Sequence, residues 1–431
     1  MDKRIATHIN KCDDNIKKQQ LLEKFNKHSL DIDFSSQICY FKTTIFGKQK
    51  KMAKFKDKFS YEYILAMELN YVLKDMLKPE IKTVNQIGEQ LIKSLKKLDN
   101  EKFTIVQLDF KKYFASLSSE YIYNFFIKDK IESEHRPLFE KYVSQVHYCN
   151  PGLLPSTLFA EIASIEFRKE LERHLKPNKL VQTLSYVDDF LLIFNDKLDK
   201  DFIVKEVLSC VKNVFYKKNN LKFQNKTKVH LEDEKFKYVT NDNIPAKFMY
   251  LGYSYTLDVQ NGKTTFSIGI AENKLKFYRT KIYSIIKDNY ENPKLLRQII
   301  YTLTRKVVVK VPTAKHKYVD FSTFQFYKNI KKYPFYVDEQ TKDFFENIIV
   351  DSFEKQDLAL PSYLKDKSKD SGYNLYHNFC NNRCVALSKK FGYSKDMLIK
   401  ILRPFTDQYL EIMSYDNLSH LFLKNFYIQL K

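Results

Sequence analysis

The chain has 431 residues, of which 44% are hydrophobic, and 73 Lys and Arg against 52 Asp and Glu give a formal charge of +21. That length and apolar content support a substantial core and more than one domain, and the positive excess implies a polyanionic partner. The 8 glycines form neither a P-loop nor a dinucleotide fingerprint, so ATP-driven and Rossmann chemistry find no support.

In chain order, FGKQKKMAKFKDKF (46–59) reads as a solvated basic loop. VNQIGEQLIKSLKKL (84–98) has the spacing of an amphipathic helix. It leads into FTIVQLDFKKYFASL, Phe103 to Leu117, where a β-like apolar run carries Asp109 at its end. Residues 120 to 150 read as a helical insertion, closed by the turn Asn150-Pro151-Gly152. Ser156 is expected to N-cap the next helix, whose apolar stripe runs through Leu158, Ile162, Ile165, Leu171 and Leu175. LVQTLSYVDDFLLIF, Leu180 to Phe194, sets its only charges between two β-prone runs, which predicts a hairpin with Asp188 and Asp189 at the turn. After Asp258 the character changes. AENKLKFYRTKIYSIIKDNY and NPKLLRQIIYTLTRKVVVK both read as helices, and residues 331 to 431 also read as helical.

Adjacent carboxylates resist ionising together unless a cation neutralises them, and hard carboxylate oxygens match magnesium or manganese better than zinc. Asp109 and Asp188 on adjacent strands would clamp two magnesium ions able to activate a primer hydroxyl, neutralise a triphosphate and stabilise departing pyrophosphate. Alone, Asp109 reads as a strand-end or turn acid. With Asp188 and Asp189 it points to phosphoryl transfer.

These residues resemble motifs A and C of reverse transcriptases, with Asp109 in the pattern D-x-x-x-[FY]-F-x-S-[IL] and Tyr186-Val187-Asp188-Asp189 as the signature box. The resemblance implies an RNA-directed DNA polymerase with Asp109, Asp188 and Asp189 as catalytic metal ligands and the backbone carbonyl of Phe110 as a further ligand. Phe114 stands at the steric gate that excludes a ribose 2′-hydroxyl; its other reading is a core aromatic beside Tyr113. LKFQNKTKV (221–229) resembles motif D, which makes Lys228, or else Lys226, the proton donor to pyrophosphate, against a plain solvated lysine. FMYLGY (248–253) resembles the primer grip, a tight turn of Tyr250, Leu251 and Gly252. No arginine occurs between Arg4 and Arg136, so Lys48, Lys50 and Lys51 are the candidates for holding the triphosphate.

Motif B departs from the pattern. Gly-x-Pro-Gln-Gly is usual, whereas Gly152-Leu153-Leu154-Pro155-Ser156-Thr157 shifts the proline and lacks the glutamine and second glycine, which in the family touch the incoming nucleotide and templating base. This counts against ordinary templated copying more than against polymerisation. The implied fold is α+β, a right-hand polymerase. Fingers and an N-terminal extension would span 1–100, a palm with an antiparallel sheet 101–258, a helical thumb 259–330 and a helical C-terminal region 331–431. No maturase, endonuclease or RNase H pattern follows residue 260. The arrangement is most similar to bacterial defence-associated reverse transcriptases of the abortive-infection and unknown-group class, with retron enzymes second. That class implies antiphage defence and, in some members, synthesis without an ordinary template or from a protein hydroxyl.

The expected partners are dNTPs, an RNA template or non-coding RNA and the DNA product, with Mg2+ as cofactor and Mn2+ as a substitute. Self-association and a partner protein both stay open. Scattered cysteines at 12, 39, 149, 210, 380 and 384, with no leader and no apolar run long enough to span a bilayer, suggest a cytoplasmic, membrane-free protein. His377, Cys380 and Cys384 lack a matching second pair, so core thiols are favoured over zinc. The competing class is a non-catalytic RNA-binding palm scaffold. Binding needs only basic surfaces, whereas three intact acids plus an aromatic gate favour the enzyme.

Overall fold

The computed structural model describes residues 2–27, 30–45, 48–78, 80–98, 102–217, 229–231, 236–261, 263–305, 308–312, 318–322, 330, 332–365, 374–376 and 393–426. The fold is α+β, in two compact units. The first comprises Met1–Ile244 with Val259–Thr264, and the second Pro245–Asp258 with Thr265–Lys431. Among the described residues no helix is long and apolar enough to cross a membrane.

The first unit opens with α1 (Lys3–Ile9) and α2 (Asn15–Asn26), N-capped by the carboxylates of Asp2 and Asp14. Next, β1 (Ile38–Ile45) pairs antiparallel with β2 (Lys48–Phe55). The lysine-rich stretch expected as a loop is therefore largely a strand. Ala53 and Phe55 are buried with exposed Lys54 between them, a period of two, so lysines furnish the outer face while small and aromatic residues face the core. The cations also rest on rings of the neighbouring strand, Lys51 Nζ 4.8 Å from the centroid of Tyr40 and Lys54 Nζ 5.3 Å from that of Phe41. Two helices follow, α3 (Tyr61–Leu77) and α4 (Val84–Leu95). The latter is the expected amphipathic helix, started by a reciprocal capping box between Thr83 and Gln86 and burying Ile87, Leu91, Ile92 and Leu95.

The chain then forms β3 (Thr104–Leu108), β4 (Phe110–Lys111), α5 (Tyr113–Ser116), α6 (Ser119–Ile122) and, after a π-helical turn, α7 (Arg136–Gln145). The long helix α8 (Ser156–Leu175) buries the stripe read from the sequence, Leu158, Ile162, Ile165, Leu171 and Leu175. The hairpin β5 (Leu180–Tyr186) and β6 (Asp189–Phe194) follows, then α9 (Lys200–Phe215), β7 (His230–Leu231) and β8 (Lys237–Thr240). Four of these strands make an antiparallel sheet of order β5-β6-β3-β8, and α8 packs against both β5 and α9. The apolar run FLLIF of β6 is wholly buried, as a central strand covered by helices requires.

β9 (Ala246–Tyr250), β10 (Tyr253–Gln260) and β11 (Lys263–Ile270) form a three-stranded sheet of order β11-β10-β9, which belongs to the second unit apart from the β10–β11 hairpin end Val259–Thr264. The helices α10 (Glu272–Asp288) and α11 (Pro293–Arg305) come next. The second does not run through the VVVK segment as the sequence reading had it. Val308–Pro312 is a strand, β12, paired with β13 (Tyr318–Ser322), because successive β-branched valines favour extended backbone and Pro312 cannot continue a helix. Among the described residues beyond β13 the regular elements are helical. An aspartate-capped α12 (Glu339–Glu354) packs on α10, and beyond α13 (Ser362–Lys365) two helices, α14 (Lys395–Leu402) and α15 (Tyr415–Phe426), close on Ile299 through Leu398, Leu402, Leu418, Phe422 and Phe426.

Candidate active site

Strand pairing gathers the three aspartates. In the β3–β6 register the last partners are Leu108 and Phe190; Asp109 follows the first and Asp189 precedes the second, so the two acids leave the same end of the sheet side by side. In the hairpin Tyr186 pairs with Asp189, which leaves Val187 and Asp188 as a two-residue turn. All three carboxylates are half-buried. The turn is tight enough that Val187 takes φ 54, a left-handed conformation that a β-branched residue rarely adopts.

Aromatic packing anchors the Asp109 strand. Phe110, 2% exposed, lies with its ring centroid 5.4 Å from Phe167, 5.7 Å from Phe190 and 5.3 Å from Tyr113. A strand, a hairpin and α8 thus share one cluster immediately behind the acids. A polar chain joins the same elements. Buried Tyr113 has its hydroxyl 2.9 Å from Ser164 Oγ and 3.2 Å from the Ala160 carbonyl, and Ser164 Oγ donates to the carbonyl of Val187 in the turn. Each hydroxyl proton is used once if Tyr113 donates to Ser164 and Ser164 to Val187. Burial holds the Tyr113 hydroxyl well above its ordinary range; the Ser164 bond opposes this, and the charge of Asp188 reinforces it.

Ser164 was not singled out from the sequence, and neither was Glu161, whose charge also acts on Tyr113. Burial raises the Glu161 carboxyl above the usual carboxylate range, with the charge of Arg168 pulling the other way. The available signal was a lone carboxylate inside the apolar run FAEIA of a helix. Such a group is costly to keep, and the sequence marks it without naming its neighbours.

The other candidates are distributed more widely. Phe114 is half-buried on α5, its ring 6.3 Å from that of Tyr113 and edge-on to it. Lys50 and Lys51 are exposed on β2, and Lys48 begins that strand with its side chain outside the described part. β2 is tied to the turn before α8 by the Ala53 amide donating to the Pro151 carbonyl at 2.9 Å. Gly152 is required there, at φ 87, since a Cβ would meet the Ala53 carbonyl oxygen at 2.8 Å. Ser156 is not the expected N-cap. Pro155 holds that position without a side-chain cap, and Ser156, the first helical residue, is fully buried with Oγ 3.3 Å from the hydroxyl of Tyr142. Lys226 and Lys228, like His377, Cys380 and Cys384, lie outside the described residues.

Tyr250, Leu251 and Gly252 form the β9–β10 turn in the second unit. Tyr250 pairs with Tyr253, and positive φ at Leu251 (49) and Gly252 (85) is the signature of a type I′ hairpin. Tyr250 is buried, and the Gly252 carbonyl accepts from the amide of Ala271 at 3.0 Å.

The donors at the aspartate site are all carboxylate oxygens, which suits hard divalent cations and fits magnesium. Among the described residues, groups with three ligand atoms within 4.8 Å of one another occur elsewhere, at Glu170, His174 and Cys210 and at Glu132, Glu134 and His135.

No family profile and no curated protein matches the chain. Among solved structures it is similar to apo telomerase from Candida tropicalis truncated from its C-terminal domain, at 15% identity and a TM-score of 0.36, over 58% of this chain and 59% of that one. Telomerase from Candida tropicalis in complex with the TWJ fragment of telomeric RNA is matched at 11% identity and 0.38, over 95% and 67%. Telomerase from Candida albicans with the same kind of fragment is matched at 11% and 0.36, over 95% and 70%.

Proposed function

We propose that the chain is a magnesium-dependent nucleotidyltransferase that extends a primer with deoxynucleotides, with Asp109, Asp188 and Asp189 as its metal-holding carboxylates. The observation that carries this reading is the β3–β6 register, which sets Asp109 beside the turn bearing the other two acids. Bound magnesium would supply the charge that acidifies the primer hydroxyl and stabilises the pyrophosphate leaving group. The three aspartates hold and orient that charge, and the main-chain carbonyl of Phe110 is a further oxygen donor next to them. Phe114 excludes a ribose 2′-hydroxyl, Lys48, Lys50 and Lys51 meet the triphosphate, Lys228 protonates pyrophosphate, and the Tyr250–Gly252 turn holds the primer end. In this layout β1 and β2 serve as fingers, the four-stranded sheet as palm, and α10 and α11 as thumb. RNA-directed synthesis and a place in antiphage defence are what the motif resemblance implies, and the +21 charge suits a nucleic-acid partner.

Template-independent or protein-primed synthesis is the second reading, and Ser156 favours it. It stands after the proline where the related motif has glutamine, and it is fully buried against Tyr142, with no side-chain amide to offer a nucleotide or a templating base.

The test is incorporation of each labelled dNTP or NTP by purified protein with magnesium, with and without RNase treatment, followed by product sequencing. Loss after RNase supports templated reverse transcription, and survival supports the second reading. The Asp188→Ala, Asp189→Ala double variant is expected to stay folded and inactive, since removing crowded carboxylates relieves repulsion in the absence of metal. Activity in that variant would refute the site.

A further inference from the structure

We propose that Glu170, His174 and Cys210 form a zinc site that ties α8 to α9. Glu170 and His174 stand one turn apart on α8, Cys210 faces them from α9, and their ligand atoms lie within 4.8 Å of one another. Glu206, one turn before Cys210, brings Oε2 to 2.6 Å from His174 Nε2. Two pairs of metal-binding residue types at helical spacing therefore oppose each other where α8 and α9 pack. Glu206 is placed to act as the carboxylate that metal-bound histidines ordinarily carry on the nitrogen not used for ligation.

The chemistry selects the metal. A thiolate, an imidazole and a carboxylate suit borderline-soft zinc, with a water able to complete a tetrahedral shell, whereas the all-oxygen set of Asp109, Asp188 and Asp189 does not. The Cys210 side chain is buried, and those of Glu170, Glu206 and His174 are 14%, 24% and 27% exposed, so the ion would sit at the edge of the core within reach of solvent. Burial, reinforced by the charges of Glu170 and Glu206, pushes the Cys210 thiol up to about 12. A divalent cation reverses that balance, and the thiol proton leaves to solvent as the ion binds. Both carboxylate oxygens of Glu170 already accept hydrogen bonds, Oε1 from Arg173 at 2.7 Å and Asn213 at 2.9 Å, Oε2 from Arg173 at 2.9 and 3.0 Å. The Arg173 side chain is 69% exposed, so solvent screens this two-pronged pair, and a metal at Glu170 would displace part of it.

The test uses the full chain, purified without a metal-affinity tag or chelator. Elemental analysis is expected to find about one zinc per chain, and cobalt added to zinc-stripped protein to give a thiolate-to-cobalt charge-transfer band. Both signals should fall several-fold in His174→Gln and Glu170→Gln, and the band should vanish in Cys210→Ser. The first two substitutions lie on the solvent side of the cluster, so they keep the proposal testable even if Cys210→Ser misfolds. Absence of both zinc and the cobalt band overturns the proposal. So does a zinc content unchanged by His174→Gln, which would assign the metal to other residues. Nucleotide incorporation is measured separately, so failure here leaves the aspartate site untouched.

Discussion

Ser164→Ala tests whether the polar chain from Tyr113 positions the aspartate turn. The substitution removes the donor to the Val187 carbonyl in a turn that holds Val187 at φ 54. A residue in such a sparsely populated region stores about 1–3 kcal/mol and keeps its conformation only while its surroundings over-determine it. Depriving a part-buried carbonyl of its donor costs about 1–3 kcal/mol, and the better helix propensity of alanine returns roughly 0.5 kcal/mol. Stability is therefore expected to fall by about 0.5–2.5 kcal/mol, a Tm shift of roughly 1–10 °C. If the 1–3 kcal/mol instead appears as misplacement of Asp188 and Asp189 in the transition state, kcat drops about 5- to 150-fold at nearly constant KM for dNTP. Steady-state incorporation across a magnesium titration separates these effects, because a merely structural role would leave the magnesium midpoint in place while positioning raises it. Tyr113→Phe should shift both quantities the same way but less, since Ser164 keeps its proton for Val187 or for the Ala160 carbonyl at 3.0 Å. Wild-type kcat and magnesium midpoint in Ser164→Ala would refute the reasoning.

Gly152→Ala forces a side chain into left-handed backbone and to within 2.8 Å of the Ala53 carbonyl oxygen; a loss of about 2 kcal/mol or more is expected in denaturant unfolding, and a change under 0.5 kcal/mol would contradict the close approach. Thr83→Ala removes one half of the capping box of α4 and should cost about 1 kcal/mol by the same measurement, with Thr83→Ser restoring most of it. Because burial raises the folded-state value of Glu161 above that of the unfolded chain, its proton is bound more tightly when folded, and its charge destabilises the fold as pH rises above the ordinary carboxylate range. Glu161→Gln should therefore raise Tm at pH 7 to 8, with the gain shrinking as pH falls toward that range. A gain independent of pH would show that charge is not the cause.

Local chemistry determined much of this protein. Two β-prone runs bracketing paired acids specified a hairpin with Asp188 in its turn and Asp189 opening the return strand, helical periodicity with a capping residue sufficed for α4, and periodicity alone sufficed for the buried stripe of α8. Where the sequence misled, a remote partner overruled a local preference. The lysines of β2 form a strand because β1 lies beside them, and Ser156 gives up its capping role because Tyr142 takes the hydroxyl and Pro155 occupies the cap. The VVVK run follows β-branching into β12 once β13 is there to pair with it. The side-by-side exit of Asp109 and Asp189, the meeting of Tyr113 with Ser164, and the convergence of α8 and α9 at Cys210 were decided by tertiary structure alone. Each depends on which distant segments share a face. Periodicity specifies that a face exists and which residues line it, but only the packing free energy of the whole core selects what is set against it.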